Sequence, residues 1–232
     1  GDWSRRRNAD FSVLPYLGTN YSPSEIALVA PDGSTVSYAE LVNSAKDWTS
    51  QVSHEHKQLI FFYIPRSQNS IACLLGLLHS GHVVALLDPE LKAQARQELE
   101  LTYEPWACVS PTSNDAGSLQ LSLSKQNERN KASAVHPDVS LMLSTSGSTG
   151  SPKFVKFARS AVLANVLDIS DVLKINTSDR GLAHLDFHYS YGLSVVTSHL
   201  AVGASLGFPT GKFTDRTFWD DLRKLEATHL PG

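Results

Sequence analysis

The stretch LMLSTSGSTGSPKFVKF, Leu141 to Phe157, sets a run of small hydroxyl residues and glycines between two apolar segments and closes it with Pro152 and Lys153. A loop of small residues lets a backbone approach a ligand closely. Gly147 and Gly150 tolerate positive φ angles that bring successive N–H groups to one concave side. The hydroxyls of Thr145, Ser146, Ser148 and Thr149 add neutral donors, and Lys153 adds a mobile positive charge. Such a surface suits a polyphosphate. Hydrogen bonds to charged groups contribute roughly 1.5–3 kcal/mol each, so a few would hold ATP usefully. A flexible linker has the same composition but rarely lies between two apolar strands. The spacing is neither the Walker pattern G-x-x-x-x-G-K-S/T nor the nucleophile elbow G-x-S-x-G.

Working outward, apolar segments of two kinds alternate. Ser37-Tyr38-Ala39-Glu40 has the form of a capping box, and Leu41, Ala45, Trp48 and Val52 follow at helical spacing. LIFFYI (Leu59–Ile64) and HVVALLD (His82–Asp88) are apolar runs without alternation, as in strands covered on both faces. Between them Ile71, Leu74, Leu75 and Leu78 stripe a helix. A charged helix from about Leu91 to Glu104 leads to the strand WACV. The polar segment 110–137 reads as a loop or hairpin around LQLSL and as the place for a subdomain boundary. VSLML and FVKFA are strands on either side of the Ser/Thr/Gly loop. Then come a helix striped by Val162, Val166, Ile169 and Leu173, the strand GLAHLDF, the helix YGLSVVTSHLA, the strand ASLGF and a helix striped by Phe218, Leu222 and Leu225. The alternation predicts an α/β fold with mainly parallel sheets.

The 232 residues are 41% hydrophobic and 19% charged with a net charge of −3, which gives no general pull toward nucleic acid or an anionic membrane. No run approaches the roughly 18 apolar residues of a membrane span. Cys73 and Cys108, the only cysteines, lie in apolar runs, so a disulfide framework is not expected and the cytoplasm is the expected compartment. His54-Glu55-His56 reads as a solvated turn. His184 and His188 are spaced like zinc ligands on a helix, but they fall on a predicted strand end and Leu185 stands where a catalytic glutamate would.

The segment STSGSTGSPK resembles the phosphate-binding signature T-S-G-S/T-T-G-x-P-K of the adenylate-forming enzymes: acyl-CoA synthetases, peptide-synthetase adenylation domains and luciferases. VSYAELVNSA, LLGLLHSGHVVALLDPE and DFHYSYGLSVVTSHLAVGA resemble three further family segments in the family's order, so the likeness runs from about Ser24 to Gly232. It implies ATP-dependent activation of a carboxylic acid to an acyl-adenylate with release of pyrophosphate, then transfer to a thiol of CoA or of a phosphopantetheine-bearing carrier protein. On that likeness Thr145, Ser146, Gly147, Ser148, Thr149, Gly150 and Lys153 hold the phosphates with Mg²⁺. His188, Tyr191 and Gly192 line the acid pocket. No metal ligand and no catalytic base is assigned, since a carboxylate is already a nucleophile. Phe154 replaces the usual glycine after P-K and is expected to pack against apolar neighbours. Asp186 replaces the usual proline before Phe187. F-H-Y-S in place of the peptide-synthetase F-D-x-S favours an acyl or aryl acid over an amino acid. The family's Y-G-x-T-E stretch, ribose-binding aspartate and C-terminal lysine are absent from 1–232. The expectation is therefore a truncated N-terminal ATP/AMP-binding domain without the small C-terminal domain, inactive alone. An amino-acid-activating domain and a non-catalytic nucleotide-binding module are the alternatives.

Overall fold

The computed structural model describes residues 16–18, 20–112, 115–124, 136–145 and 153–232, with the backbone only at 115–116 and 145. The alternation appears as two sheets. Strands β1 (Ile26–Val29), β2 (Thr35–Ser37), β9 (Arg180–Leu182) and β10 (Ser205–Gly207) form one, in the order β2-β1-β10-β9. Strands β3 (Leu59–Tyr63), β4 (Val83–Leu87), β5 (Ala107–Thr112), β6 (Asp115–Leu123), β7 (Val139–Thr145) and β8 (Lys153–Ala158) form the other, in the order β6-β5-β3-β4-β7-β8. The helices are α1 (Tyr38–Gln51), α2 (Gln68–His79), α3 (Ala93–Tyr103), α4 (Arg159–Val172), α5 (Ser190–Ala201) and α6 (Arg216–Leu225).

Pairing is parallel inside both sheets and antiparallel at the hairpins β1–β2, β5–β6 and β7–β8. The reason is the connection. A helix-sized crossover is needed to join parallel neighbours, whereas a short link returns the chain antiparallel. The expected hairpin around LQLSL is β5–β6, with Val109 opposite Leu121.

The unbroken apolar runs are covered on both faces, as the sequence implies. Ile60, Phe62, Val84 and Leu86 face the large core shared with α1, α2 and α5. Their neighbours Phe61, Tyr63, Val83, Ala85 and Leu87 face a second core under Leu99 of α3. The capping box forms: Ser37 Oγ accepts from the Glu40 amide, and Glu40 Oε2 accepts from the Ser37 amide at 2.7 Å.

Two readings need correction. GLAHLDF is a strand only over Arg180–Leu182, and residues beyond turn away toward α5. Hairpin β1–β2 has no counterpart among the expected elements. Its signal is the Pro31-Asp32-Gly33 turn, in which Asp32 Oδ1 accepts from the Ser34 amide at 2.9 Å and Gly33 sits at φ +88°. β1 then pairs with β10 from the far end of the chain, Leu28 beside Leu206.

Candidate active site

The parallel strands of the large sheet, β3, β4, β5 and β7, run the same way, so their carboxyl ends share one edge. Open α/β sheets bind ligands outside that edge. Ile64 continues β3 and donates its amide to Leu87 O at the end of β4, 3.1 Å away. The hydroxyl- and glycine-rich segment leaves this same edge at the end of β7. Thr145 of β7 is the direct cross-strand partner of Lys153 of β8. The two ends of the segment, Thr145 and Lys153, are thus pinned side by side. Ser146, Gly147, Ser148, Thr149 and Gly150 lie outside the described residues, and of Thr145 only the backbone is described. Lys153 is exposed at the neck. Phe154 next to it is partly buried beside Phe61 and edge-on to Tyr103, with ring centroids 6.0 and 5.0 Å away, which meets the packing expected of it.

The edge of the small sheet meets this one. Arg66, half-buried just past β3, donates from Nη1 to Pro209 O beyond β10 at 3.0 Å and to Ala183 O beyond β9 at 3.4 Å. Burial lowers the pKa of its guanidinium, and the nearby Asp186 carboxylate raises it again. Nothing in the sequence marks Arg66; only the convergence of two sheets gives it this place.

From Ala183 the chain turns through Asp186, Phe187 and His188 into α5. His188 is 4% exposed, its ring 4.1 Å from that of Tyr189. Neither Nδ1 nor Nε2 has a hydrogen-bond partner among the described residues. An unmade bond on a buried polar group costs about 1–3 kcal/mol. A satisfied core histidine would have a partner; this imidazole has its burial without one.

Tyr191 is half-exposed on the first turn of α5, and its hydroxyl donates to Gly232 O at 3.3 Å. It lines a cleft of about 380 Å³ with Ile169, Leu173, Val195 and Leu230. A second cleft of about 340 Å³ lies across α5, among Leu143, Phe157, Val162 and Leu193. His188 and Gly192 line neither. Gly192 is buried where a Cβ would stand 2.3 Å from Asp186 O, so the glycine lets α5 start against the preceding turn. The expected acid-pocket trio is therefore close in sequence but divided in setting.

The sequence reading also missed an imidazole array. His199 of α5 bonds Val195 O through Nδ1 (2.8 Å) and His229 Nδ1 through Nε2 (3.1 Å), and His229 Nε2 stands 3.8 Å from Asp179. Burial lowers the His199 pKa. Asp179 precedes β9, His199 packs against Gly181 within it, and His199 and His229 line the same cleft as Tyr191.

Among the described residues no cluster of three or more His, Cys, Asp or Glu could hold a metal, and no helix is long and apolar enough to cross a membrane. The sequence matches the AMP-binding enzyme family over residues 19–232. The chain belongs to that family. It is 26% identical over 220 residues to isonitrile lipopeptide synthase of Streptomyces coeruleorubidus, covering 87% of this chain and 15% of that protein. It is 36% identical over 96 residues to oxalate–CoA ligase of Arabidopsis thaliana, covering 40% of this chain and 19% of that one. The chain thus matches less than a fifth of the length of either relative. Among solved structures it shares the fold of VinN in complex with 3-methylaspartate (TM-score 0.69, 18% identity, 89% of this chain and 61% of that one). It shares it also with apo MatB of Rhodopseudomonas palustris (TM-score 0.65, 17% identity, 80% and 42%).

Proposed function

We propose that this chain is part of the large ATP-binding domain of a ligase that activates a carboxylic acid. A carboxylate oxygen attacks the α-phosphorus of ATP, the bond to the bridging oxygen breaks, and pyrophosphate leaves with its electrons. A thiol of CoA or of a carrier protein's phosphopantetheine then attacks the acyl carbon, loses its proton and expels AMP. The observation that carries the reading is the pinned neck between Thr145 and Lys153 at the carboxyl edge of the parallel strands. A loop closed there supports a phosphate cradle, with Thr145, Ser146, Gly147, Ser148, Thr149 and Gly150 as donors. Lys153 supplies the positive charge. Mg²⁺ would share the charge of the departing pyrophosphate. Positioning and charge stabilisation are what such phosphoryl chemistry asks of a protein.

His188, buried and without a hydrogen-bond partner among the described residues, supports a polar ligand at the turn before α5, and the acid's carboxylate has the acceptors it needs. Asp186 acts electrostatically on Arg66. An incoming ammonium would have to share it, which favours an acyl or aryl acid over an amino acid. Acid-dependent exchange of radiolabelled pyrophosphate into ATP, measured on the complete protein over a panel of acids, tests the reading. Exchange that needs acid, ATP and Mg²⁺ together is expected. Phosphate release from ATP without any acid would instead mark a nucleotide hydrolase, and ATP binding with no exchange a non-catalytic module.

A further inference from the structure

We infer that Arg66 is a positioning residue of this site, holding in place the turn that carries His188; the inference rests on the adenylation reading. Three strand ends from two sheets meet at its guanidinium: β3, which it follows, and β9 and β10, whose next carbonyls it bonds at Ala183 and Pro209. Those carbonyls lie where strand pairing has ended, so the sheet ladders no longer satisfy Pro209 O. A guanidinium suits this task because the two N–H bonds of Nη1 reach two acceptors at once and the group keeps its charge when half-buried. The Asp186 carboxylate, on the turn itself, stabilises that charge. Along the chain the turn then carries Phe187, fully buried, and His188, buried and without a hydrogen-bond partner among the described residues. Asp186 O accepts from the Tyr189 amide at 3.3 Å and fills the space beside Gly192, so a shift of the turn moves the start of α5 as well. Arg66 therefore couples the ends of the two sheets to the turn that carries the buried imidazole of His188.

The test uses the complete protein carrying Arg66→Met, Arg66→Lys or Asp186→Asn. Pyrophosphate exchange is read with benzoate, octanoate, oxalate and L-phenylalanine as probe acids, and hydrogen–deuterium exchange is read by mass spectrometry. Arg66→Met is expected to raise KM for the accepted acid at least tenfold with kcat within threefold. Amide exchange should speed up at least tenfold in 183–189 and stay unchanged in α1. Arg66→Lys should recover part of both effects, and Asp186→Asn should show a smaller effect of the same sign. Equal exchange in 183–189 for wild type and Arg66→Met would overturn the inference. So would faster exchange throughout the domain with KM unchanged, which is the signature of a purely structural residue. A wild-type protein that exchanges pyrophosphate with no probe acid, under conditions where it binds ATP, would count against the adenylation reading; the deuterium measurement would still decide for or against Arg66.

Discussion

Lys153 stands opposite Thr145 at the mouth of the loop, exposed, with Pro152 before it and Phe154 anchored behind it. A lysine so held needs little ordering to reach a phosphate, and it offers a compact charge on a mobile stem. In the complete protein, Lys153→Ala is expected to lower acid-dependent pyrophosphate exchange ten- to a hundredfold, about 1.4–2.7 kcal/mol of transition-state stabilisation. Lys153→Arg should regain only part of that, because a broad, planar guanidinium does not reproduce the compact charge of an ammonium. ATP KM and turnover both within twofold of wild type for Lys153→Ala would mean that the residue is only a solvated surface lysine. His188 poses the opposite question, because it is buried. If its ring serves the acid, His188→Ala should raise KM for the acid or lower kcat while the melting temperature changes little. Unchanged kinetics with a large loss of melting temperature would return it to the core.

At the scale of elements, the start of α5 is the sensitive point. The helix has no side-chain cap at Tyr189 and depends on close packing of its first turn against Leu185 and Asp186. Gly192→Ala would drive a methyl group to within 2.3 Å of a backbone oxygen that cannot swing aside. Overpacking of this kind costs roughly 1–3 kcal/mol, and the turn carrying His188 would shift with it. Denaturant unfolding should show a lower midpoint at similar slope; wild-type stability in Gly192→Ala would refute the close contact. α1 offers a contrast. Its capping box satisfies amides at an exposed helix end far from the carboxyl edge, so Ser37→Ala should cost about 1 kcal/mol of stability and leave acid and ATP KM unchanged.

For the whole molecule the buried imidazoles set a pH dependence. Burial lowers the pKa of His82 and His199 below the ordinary histidine value. His82 shows why geometrically: its Nδ1 accepts from the Gln58 amide at 3.2 Å, so Nε2 carries the proton toward Val52 O at 2.7 Å. A second proton on Nδ1 would break the Gln58 bond. The unfolded chain therefore binds more protons than the folded one just below pH 6.5, and stability rises with pH through that range. It is fully present above about pH 6.5 and is lost as the pH falls through it. Asp179 and Asp221 do not compete there. Burial raises their carboxyl pKa, but hydrogen bonds outweigh it and hold both below the usual value. Their contribution is lost only below about pH 4. The melting temperature should be several degrees higher at pH 7.5 than at pH 5.0, with a shallower dependence in His82→Gln. A flat profile between these values would contradict the burial of neutral imidazoles.

Local chemistry alone determined much of this protein. The capping box of α1, the two-faced strands β3 and β4, the helix stripes and the neck of the loop all depend on residues near one another in sequence, where period and turn chemistry act directly. The family is legible in one contiguous motif for the same reason. Tertiary structure decided what distant segments do together. Leu28 pairs with Leu206 because the small sheet gathers strands from both ends of the chain, and no local period encodes that partnership. GLAHLDF is apolar enough for a longer strand, yet its second half leaves the sheet to bring Asp186, Phe187 and His188 to the carboxyl edge. Tyr191 and Gly192 are adjacent, but helical geometry turns one to a cleft and packs the other against a carbonyl. Arg66 shows the limit most plainly. As a residue it is an arginine after a strand; its place at the meeting of two sheets arises from hydrogen bonds to Ala183 and Pro209, more than a hundred residues away.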